Sequence, residues 1–238
     1  MNSRGEVYVS EYGLVERVQR FAARGEKFLG VLGHAGTGPG EFNRAEGLGT
    51  DSQDRLYVAD SCNHRVQVFS SDGRFLRAYG QAGTGAGDFS YPYDICVDEA
   101  GRQYVCEFGN SRIQVFDAND QPIETIGGPG TEPGKFNNPW GITLDSAGNL
   151  YVADSQNHRV QKLIRRQPIL SPESKVLSRG DLLGHRPLTA DHLANRQLPI
   201  ANGKSGPQST VRCPRRDTDE AEGASILPPR SGFVQPAS

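Results

Sequence analysis

The stretch that sets the architecture of this chain begins at Pro139, ends at Gln161 and reads PWGITLDSAGNLYVADSQNHRVQ. Short runs rich in β-branched and aromatic residues alternate in it with turn residues, such as the Ser-Ala-Gly-Asn segment at 146–149. This is the period-two pattern of strands, and it leaves no room for a helix of about ten residues. The stretch therefore predicts antiparallel strands joined by short turns.

The same stretch is one copy of a repeat. Tyr57, Tyr104 and Tyr151 stand 47 residues apart, and eleven positions of this register are identical in three successive copies. The identical triplets begin at Gly33, Gly36, Thr37, Gly40, Phe42, Asp51, Tyr57, Val58, Asn63, Arg65 and Gln67. A less regular copy precedes them, from Glu6 to Gly33. Self-similarity at a period of roughly 20 to 50 residues is typical of repeat architectures.

Each repeat is predicted to contain four antiparallel strands, a to d. We expect strand a at 94–97 and 141–144, strand b at 103–106 and 150–153, strand c at 112–116 and 159–163, and strand d at 75–79 and 122–126. A four-stranded meander cannot bury both of its faces, so successive units must pack sheet against sheet around an axis. The predicted fold class is therefore all-β, a partial β-propeller built of four-stranded antiparallel blades.

The ordered spacing of P-x-G-I-x-x-D and G-N-L-Y-V-A-D-S-x-N-H-R-V-Q resembles the NHL repeat family of propellers, and the resemblance extends over residues 5–164. With the register, it implies a propeller arc at 1–166, with units at about 5–33, 34–80, 81–127 and 128–164. The first unit lacks strand a and the last lacks strand d, which leaves about three and a half NHL-type blades. Since such propellers close with about six blades, we expect an incomplete ring.

Residues 167–238 leave the register. They hold 9 of the 15 prolines of the chain, one Phe, and no Tyr or Trp. We expect this tail to be disordered or not native to the propeller. Two explanations stay open: a disordered linker, or a frameshift or a wrong start and stop, which the change of pattern inside a blade favours.

One end of the propeller is predicted to collect the residues that contact a partner. In an up-and-down blade, the d–a and b–c connections emerge at the same end, and residues that vary on a shared scaffold form binding surfaces. The candidate residues at this end are Glu46, Tyr93, Trp140, Asn63, His64, Phe108, Asn110, Asn157 and His158. Tyr93 and Trp140 would contact a partner there, or only cover the packing between blades.

A second set of polar residues is predicted to be structural. A carboxylate and an arginine five residues apart recur at each b–c corner, and a catalytic site would not need a copy in every blade. The predicted clamps are Asp60 with Arg65, Glu107 with Arg112 and Asp154 with Arg159. The glycine-rich segments at 33–42 and 80–89 lack the Lys-Ser/Thr that ends a phosphate-binding loop, so they are interpreted as connections between blades.

No cofactor, metal or catalytic residue is predicted. Cys96 and Cys106 occupy register positions that small residues hold in other units, and the chain contains no CxxC pair. His64 and His158 share one register position with Ser111, which favours turn residues over metal ligands.

Three hypotheses for the function follow. The favoured one is a non-catalytic binding or scaffolding module that engages a protein or peptide through the end with the d–a and b–c loops. The alternative is an RNA-binding propeller, which the resemblance to eukaryotic NHL proteins suggests and the formal net charge of −2 disfavours. The second alternative, also from the resemblance, is a fragment of a propeller lyase or lactonase. Its site would need blades that this chain lacks, because Asp94 is the one charged candidate on the axis-lining strands, so an enzyme is less favoured.

The remaining expectations concern location and assembly. No apolar run approaches the ~18 residues of a membrane span, and the opening MNSRGEVYVSEYG has no signal-peptide core. As written, and unless its N-terminus is truncated, the chain is expected to be cytoplasmic with no membrane contact. We also expect self-association, because an open ring leaves blade faces and a strand edge uncovered.

Overall fold

The structure is a computed structural model that describes residues 1–165. The predicted tail at 167–238 lies outside the described residues.

The described part contains fourteen strands, in four sheets that we call blades 1 to 4. Blade 1 contains β1 (Val7–Glu11), β2 (Arg17–Phe21) and β3 (Phe28–Leu32), and blade 2 contains β4 (Ala45–Thr50), β5 (Leu56–Asp60), β6 (Arg65–Phe69) and β7 (Phe75–Tyr79). Blade 3 contains β8 (Pro92–Val97), β9 (Gln103–Glu107), β10 (Arg112–Phe116) and β11 (Pro122–Gly127), and blade 4 contains β12 (Gly141–Leu144), β13 (Leu150–Asp154) and β14 (Arg159–Leu163).

All four blades are antiparallel meanders whose strands pair in chain order. The predicted all-β fold of four-stranded antiparallel blades is confirmed in blades 2 and 3, while blade 1 lacks strand a and blade 4 lacks strand d among the described residues. Strand a of blade 3 begins at Pro92, two residues before its predicted start, because its pairing with β9 continues past an irregularity between Pro92 and Asp94. Single 3₁₀ turns lie at Ala23–Gly25, Ser61–Asn63 and Ser155–Asn157. None of the described residues lies in a helix long and apolar enough to cross a membrane.

An aspartate that is repeated in blades 2, 3 and 4 closes the turn between strands a and b. In blade 4, Asp145 Oδ1 accepts hydrogen bonds from the backbone N–H groups of Ala147 and Asn149, at 3.0 and 2.8 Å. The hydroxyl of Tyr151 donates to the other carboxylate oxygen at 3.3 Å. An aspartate side chain that binds its own backbone two residues on is a common way to form a tight turn. The repeated Asp and Tyr of the register are therefore partners in one turn.

The core lies between successive blades. An invariant phenylalanine, Phe42, Phe89 or Phe136, is fully buried at each of the three junctions. Between blades 2 and 3, the ring of Phe89 lies 5.4 Å from that of Phe116 and 6.1 Å from that of Tyr79, measured between centroids. Gly80 has a φ of +94°, and a Cβ there would lie 2.3 Å from the Phe89 ring. A side chain at position 80 would therefore meet both backbone strain and the core.

Candidate functional site

Each b–c corner of blades 2, 3 and 4 is built around a carboxylate with no exposed side-chain surface. In blade 2, Arg65 Nε donates to Asp60 Oδ2 at 2.8 Å, and its two other nitrogens donate to backbone carbonyls of the connection from blade 1. Nη1 reaches Thr37 O at 2.7 Å, and Nη2 reaches Gly38 O and Glu41 O, each at 2.8 Å. The arginine thus binds both its own blade and the d–a connection that precedes it.

The same corner is repeated in blades 3 and 4. Arg112 Nε lies 2.5 Å from Glu107 Oε1, and Arg159 Nε lies 2.7 Å from Asp154 Oδ2. Burial raises the pKa of the Asp60 and Glu107 carboxyls, and the hydrogen bonds that these groups accept oppose that rise. At Asp154, burial is outweighed by hydrogen bonds from the Asn137 backbone and from neighbouring side chains, so its pKa is lowered.

Three asparagines predicted for the binding face are part of these corners. The side-chain amides of Asn63, Asn110 and Asn157 each donate to the corner carboxylate and to a glycine carbonyl of the d–a connection, at 2.6 to 3.1 Å. The side-chain N–H groups of these asparagines are therefore hydrogen-bonded within the fold.

Three of the predicted face residues come together as an aromatic cluster. Tyr93, at the start of β8, stacks on Phe108, which follows β9, with ring centroids 4.6 Å apart and planes at 21°. Trp140, just before β12, meets Tyr93 edge-on at 6.3 Å. Tyr93 and Phe108 are each 8% exposed, whereas Trp140 is 59% exposed. The stack is therefore a buried base on which one exposed indole rests.

Sequence reasoning missed Arg44 and Tyr12, which extend this cluster. The guanidinium carbon of Arg44 lies 5.1 Å from the ring centroids of both Tyr12 and Tyr93. Arg44 Nε also donates to Glu46 Oε1 at 2.6 Å, which brings the predicted Glu46 next to the aromatic rings. We call Tyr12, Arg44, Tyr93, Phe108 and Trp140 the aromatic face. Tyr12 lies in the irregular first repeat, and Arg44 shares its register position with Tyr91 and Asn138, so neither fitted the repeated pattern.

The two predicted histidines differ in their surroundings. The backbone N–H of Tyr91, in the next unit, donates to His64 Nδ1 at 3.2 Å, and the two rings lie 4.7 Å apart. Burial lowers the pKa of His64. Ser111 Oγ occupies the same register position and accepts from Asn138 N at 3.1 Å. His158, at that position in blade 4, is exposed.

Asp94 is the charged residue of the inner strands that the sequence singled out. Its Oδ2 accepts a hydrogen bond from Ile142 N of blade 4 at 2.8 Å, and its Oδ1 accepts from Ile95 N at 2.9 Å. Burial raises its pKa to about 6, and the charge of Glu46 acts in the same direction. The carboxylate therefore joins two blades near the axis.

Two cysteines lie on neighbouring strands of blade 3, Cys96 on β8 and Cys106 on β9. The thiols of Cys96 and Cys106 are unpaired in the part of the chain that the structure describes, and burial raises the pKa of both, which keeps them protonated. Residues 1–165 contain no group of three or more His, Cys, Asp or Glu side chains arranged to hold a metal ion.

Comparisons with known proteins agree with this architecture. The family model DUF5128, described as a 6-bladed beta-propeller, matches residues 49–130, and the NHL repeat model matches residues 136–163. A search of curated proteins gave no match.

Three solved structures are similar in fold. A protein of unknown function from Bacteroides thetaiotaomicron is 20% identical, with a TM-score of 0.51 over 66% of this chain and 44% of that one. A streptogramin B lyase is 15% identical, with a TM-score of 0.50 over 70% and 53%. A catalytically inactive virginiamycin B lyase from Staphylococcus aureus, solved with quinupristin, is 16% identical, with a TM-score of 0.50 over 70% and 54%.

This chain thus spans about half the length of those structures, and identities this low establish a shared fold alone. The two family models match consecutive parts of the chain, and the blades that they cover follow one 47-residue register. These matches and the shared register support the assignment of this chain to an NHL-repeat β-propeller family.

Proposed function

We propose that this chain is a non-catalytic binding module that holds a protein or peptide partner on its aromatic face. The observation that carries this proposal is the position of Trp140, whose indole is 59% exposed while it rests against the buried Tyr93–Phe108 stack. Tryptophan, tyrosine and arginine are the residues most enriched among those that dominate binding energy at protein interfaces. A ring held in place before binding also loses little conformational entropy on binding.

The surroundings of Trp140 favour a peptide over a small, fully enclosed ligand. Tyr12 of the aromatic face is 52% exposed. Within the described residues, the two Nη atoms of Arg44 donate no hydrogen bond, while its Nε is held by Glu46. The face thus offers aromatic rings beside a fixed cation, which suits an extended partner with apolar residues and backbone carbonyls.

The test selects peptides from a random display library on the immobilised full chain and measures their affinity by tryptophan fluorescence. Trp140 is the only Trp of the chain, so a change in emission reports on this face when the peptide itself contains none. We expect Trp140→Ala to weaken binding by about 30-fold, the loss of roughly 2 kcal/mol typical of a dominant contact. For Trp140→Ala the affinity is read from the anisotropy of a labelled peptide.

The matched control is Val160→Ala, which truncates an exposed apolar residue outside the aromatic face. It should leave the affinity unchanged. Selected peptides that bind Trp140→Ala as tightly as the unchanged protein would contradict the proposal. Tighter binding of a single-stranded RNA 12-mer than of any selected peptide, with a steep dependence on salt, would contradict it in favour of the RNA hypothesis.

A further inference from the structure

Three blades hold the glycine-rich connection that precedes them with the same two side chains. In blade 2, Arg65 binds the carbonyls of Thr37, Gly38 and Glu41, as described above. Gln67 completes the contact, because its Nε2 donates to Glu41 O at 2.6 Å and its Oε1 accepts from Gly40 N at 2.9 Å. In blades 3 and 4, the pairs Arg112–Gln114 and Arg159–Gln161 hold segments 84–88 and 131–135 through the same set of bonds, at 2.7 to 3.0 Å.

Blade 1 carries the same side chains without such a segment. Arg17 Nε donates to Glu11 Oε2 at 2.6 Å, and Gln19 Nε2 donates to the same oxygen at 2.7 Å, which reproduces the inner half of the corner. Among the described residues, the Nη atoms of Arg17 and the Oε1 of Gln19 make no hydrogen bond. The Arg17 side chain is 39% exposed, compared with 15%, 13% and 29% for Arg65, Arg112 and Arg159.

The apolar part of the contact is also repeated in blade 1. In blade 2, Phe69 and Phe75 meet edge-on at 5.9 Å, and Phe42 of the connection covers them, with its ring 5.7 Å from Phe69. Phe21 and Phe28 form the equivalent edge-on pair at 5.8 Å. Phe28 is 54% exposed, and Val9 is 42% exposed where its equivalent Val58 is fully buried.

We propose that this side of blade 1 binds the glycine-rich segment of a further propeller repeat unit, in the way that blade 2 binds residues 37–42. We call Glu11, Arg17, Gln19, Phe21 and Phe28 the blade 1 cradle. The segment that it accepts follows the pattern G-x-x-G-T-x-x-G-x-F, which the chain shows at 33–42, 80–89 and 127–136. Each of these three segments is held by its own blade, so an intact second copy of the described residues has none to offer.

The conformation of the bound segments explains the need for glycine. Gly40, Gly87 and Gly134 have φ values of +77°, +85° and +81°. Residues with a Cβ adopt this region only at a cost in energy. A segment with other residues at this position would therefore bind weakly. None of the five cradle residues belongs to the aromatic face, so this inference does not depend on the proposed function.

The experiment measures the fluorescence anisotropy of a fluorescein-labelled synthetic peptide with the sequence of residues 33–50, titrated with the full 238-residue chain. We expect saturable binding that Arg17→Ala weakens by about tenfold or more, because three charge-assisted hydrogen bonds are lost. Arg17→Lys should also weaken binding, since a single ammonium cannot reproduce the planar fork of the guanidinium. Arg24→Ala removes an exposed positive charge from the same blade and should leave the affinity unchanged.

A second peptide, with alanine in place of Gly40, should bind much more weakly than the first. Far-UV circular dichroism of each variant checks that it is folded. The proposal is overturned if the peptide does not bind, if Arg17→Ala leaves its affinity unchanged, or if the alanine peptide binds equally well. Self-association that Arg17→Ala abolishes, without any binding of the peptide, would overturn it in favour of a second copy as the occupant.

Discussion

At Asp94, a carboxyl group is held between the inner strands of blades 3 and 4, away from water. Two backbone N–H groups donate to it, but no arginine or lysine compensates its charge in the described part of the chain. Desolvation therefore dominates and raises the pKa of Asp94 to about 6. The corner acids Asp60, Glu107 and Asp154, by contrast, each have an arginine nitrogen within 2.8 Å.

The raised pKa of Asp94 determines how its contribution to folding stability changes with pH. The folded-state pKa is about 6, compared with about 3.9 in an unfolded chain, so between these values folding takes up a proton. The contribution of Asp94 to stability therefore falls as pH rises from about 4 to 6 and stays low above that. We expect Asp94→Asn to be more stable than the unchanged protein at pH 7.5, by roughly 1 to 3 kcal/mol, with the difference vanishing near pH 4. Urea unfolding at both pH values measures it.

The matched control is Asp145→Asn, which should change stability at pH 7.5 in the opposite direction. Hydrogen bonds from Asn149 lower the pKa of Asp145 to about 2, so its stabilising contribution is present above the unfolded pKa and is lost as pH falls toward 2. Asp145→Asn should therefore reduce stability at pH 7.5. If Asp94→Asn instead destabilises the protein at pH 7.5, the two backbone hydrogen bonds outweigh the cost of burying the charge.

At the scale of the strand, the blades approach each other most closely at the inner strands. Gly47 on β4 faces β8 so closely that a Cβ would lie 2.4 Å from Asp94 Cα and 2.7 Å from Tyr93 O. The obstructing atoms are largely backbone, which cannot move without shifting the whole strand. Gly141, at the same register position in blade 4, has room, since a Cβ there would meet nothing nearer than 3.6 Å.

Because of this difference, a glycine-to-alanine substitution should change stability unequally at these two positions. Gly47→Ala should destabilise the protein by roughly 1 to 3 kcal/mol, because it overpacks the contact between two strands. Gly141→Ala should change stability by less than about 0.5 kcal/mol. Thermal unfolding of both variants provides the comparison, and equal losses of stability would contradict the closer contact at Gly47.

The corners make a second prediction at this scale. Arg112→Ala leaves Glu107, whose side chain is fully buried, without its cation and releases the connection at 84–88. Removing one partner of a buried ion pair costs roughly 3 to 5 kcal/mol. Arg17→Ala should cost far less, since Glu11 of blade 1 is 32% exposed and holds no connection. Chemical unfolding that shows similar losses for both variants would contradict the structural role of the three complete corners.

For the whole molecule, the two terminal blades differ from the inner two. Val160 and Ile164 are 71% and 73% exposed at blade 4, and Val9, Phe28 and Val31 are 42% to 54% exposed at blade 1. Gln161 of blade 4 is only partly buried, whereas Gln67 and Gln114 of blades 2 and 3 are fully buried. In the part of the chain that the structure describes, faces that a neighbouring blade covers in blades 2 and 3 are thus exposed on blades 1 and 4.

Open faces of this kind predict self-association. Multi-angle light scattering of the full chain at tens of micromolar should give an average mass above that of a monomer, since exposed strand edges and apolar faces promote pairing between chains. Val160→Glu should lower the average mass by placing a charge on the open face of blade 4. Leu76→Glu, which places a charge at a 41% exposed position on blade 2, serves as the control. A stable monomer for the unchanged protein would disprove this expectation.

The sequence by itself determined the repeat, the strands and the partners within one unit, such as Asp60 with Arg65. These features depend on residues close together in the chain, and a constant 47-residue register places them alike in every blade. Only the tertiary structure decided how Arg44 comes to lie between Tyr12 and Tyr93, how the asparagines are engaged, and why the pKa of Asp94 is raised to about 6. Those outcomes depend on the approach of residues from different blades, where side-chain size and the exclusion of water set the contacts, and no repeated pattern encodes them.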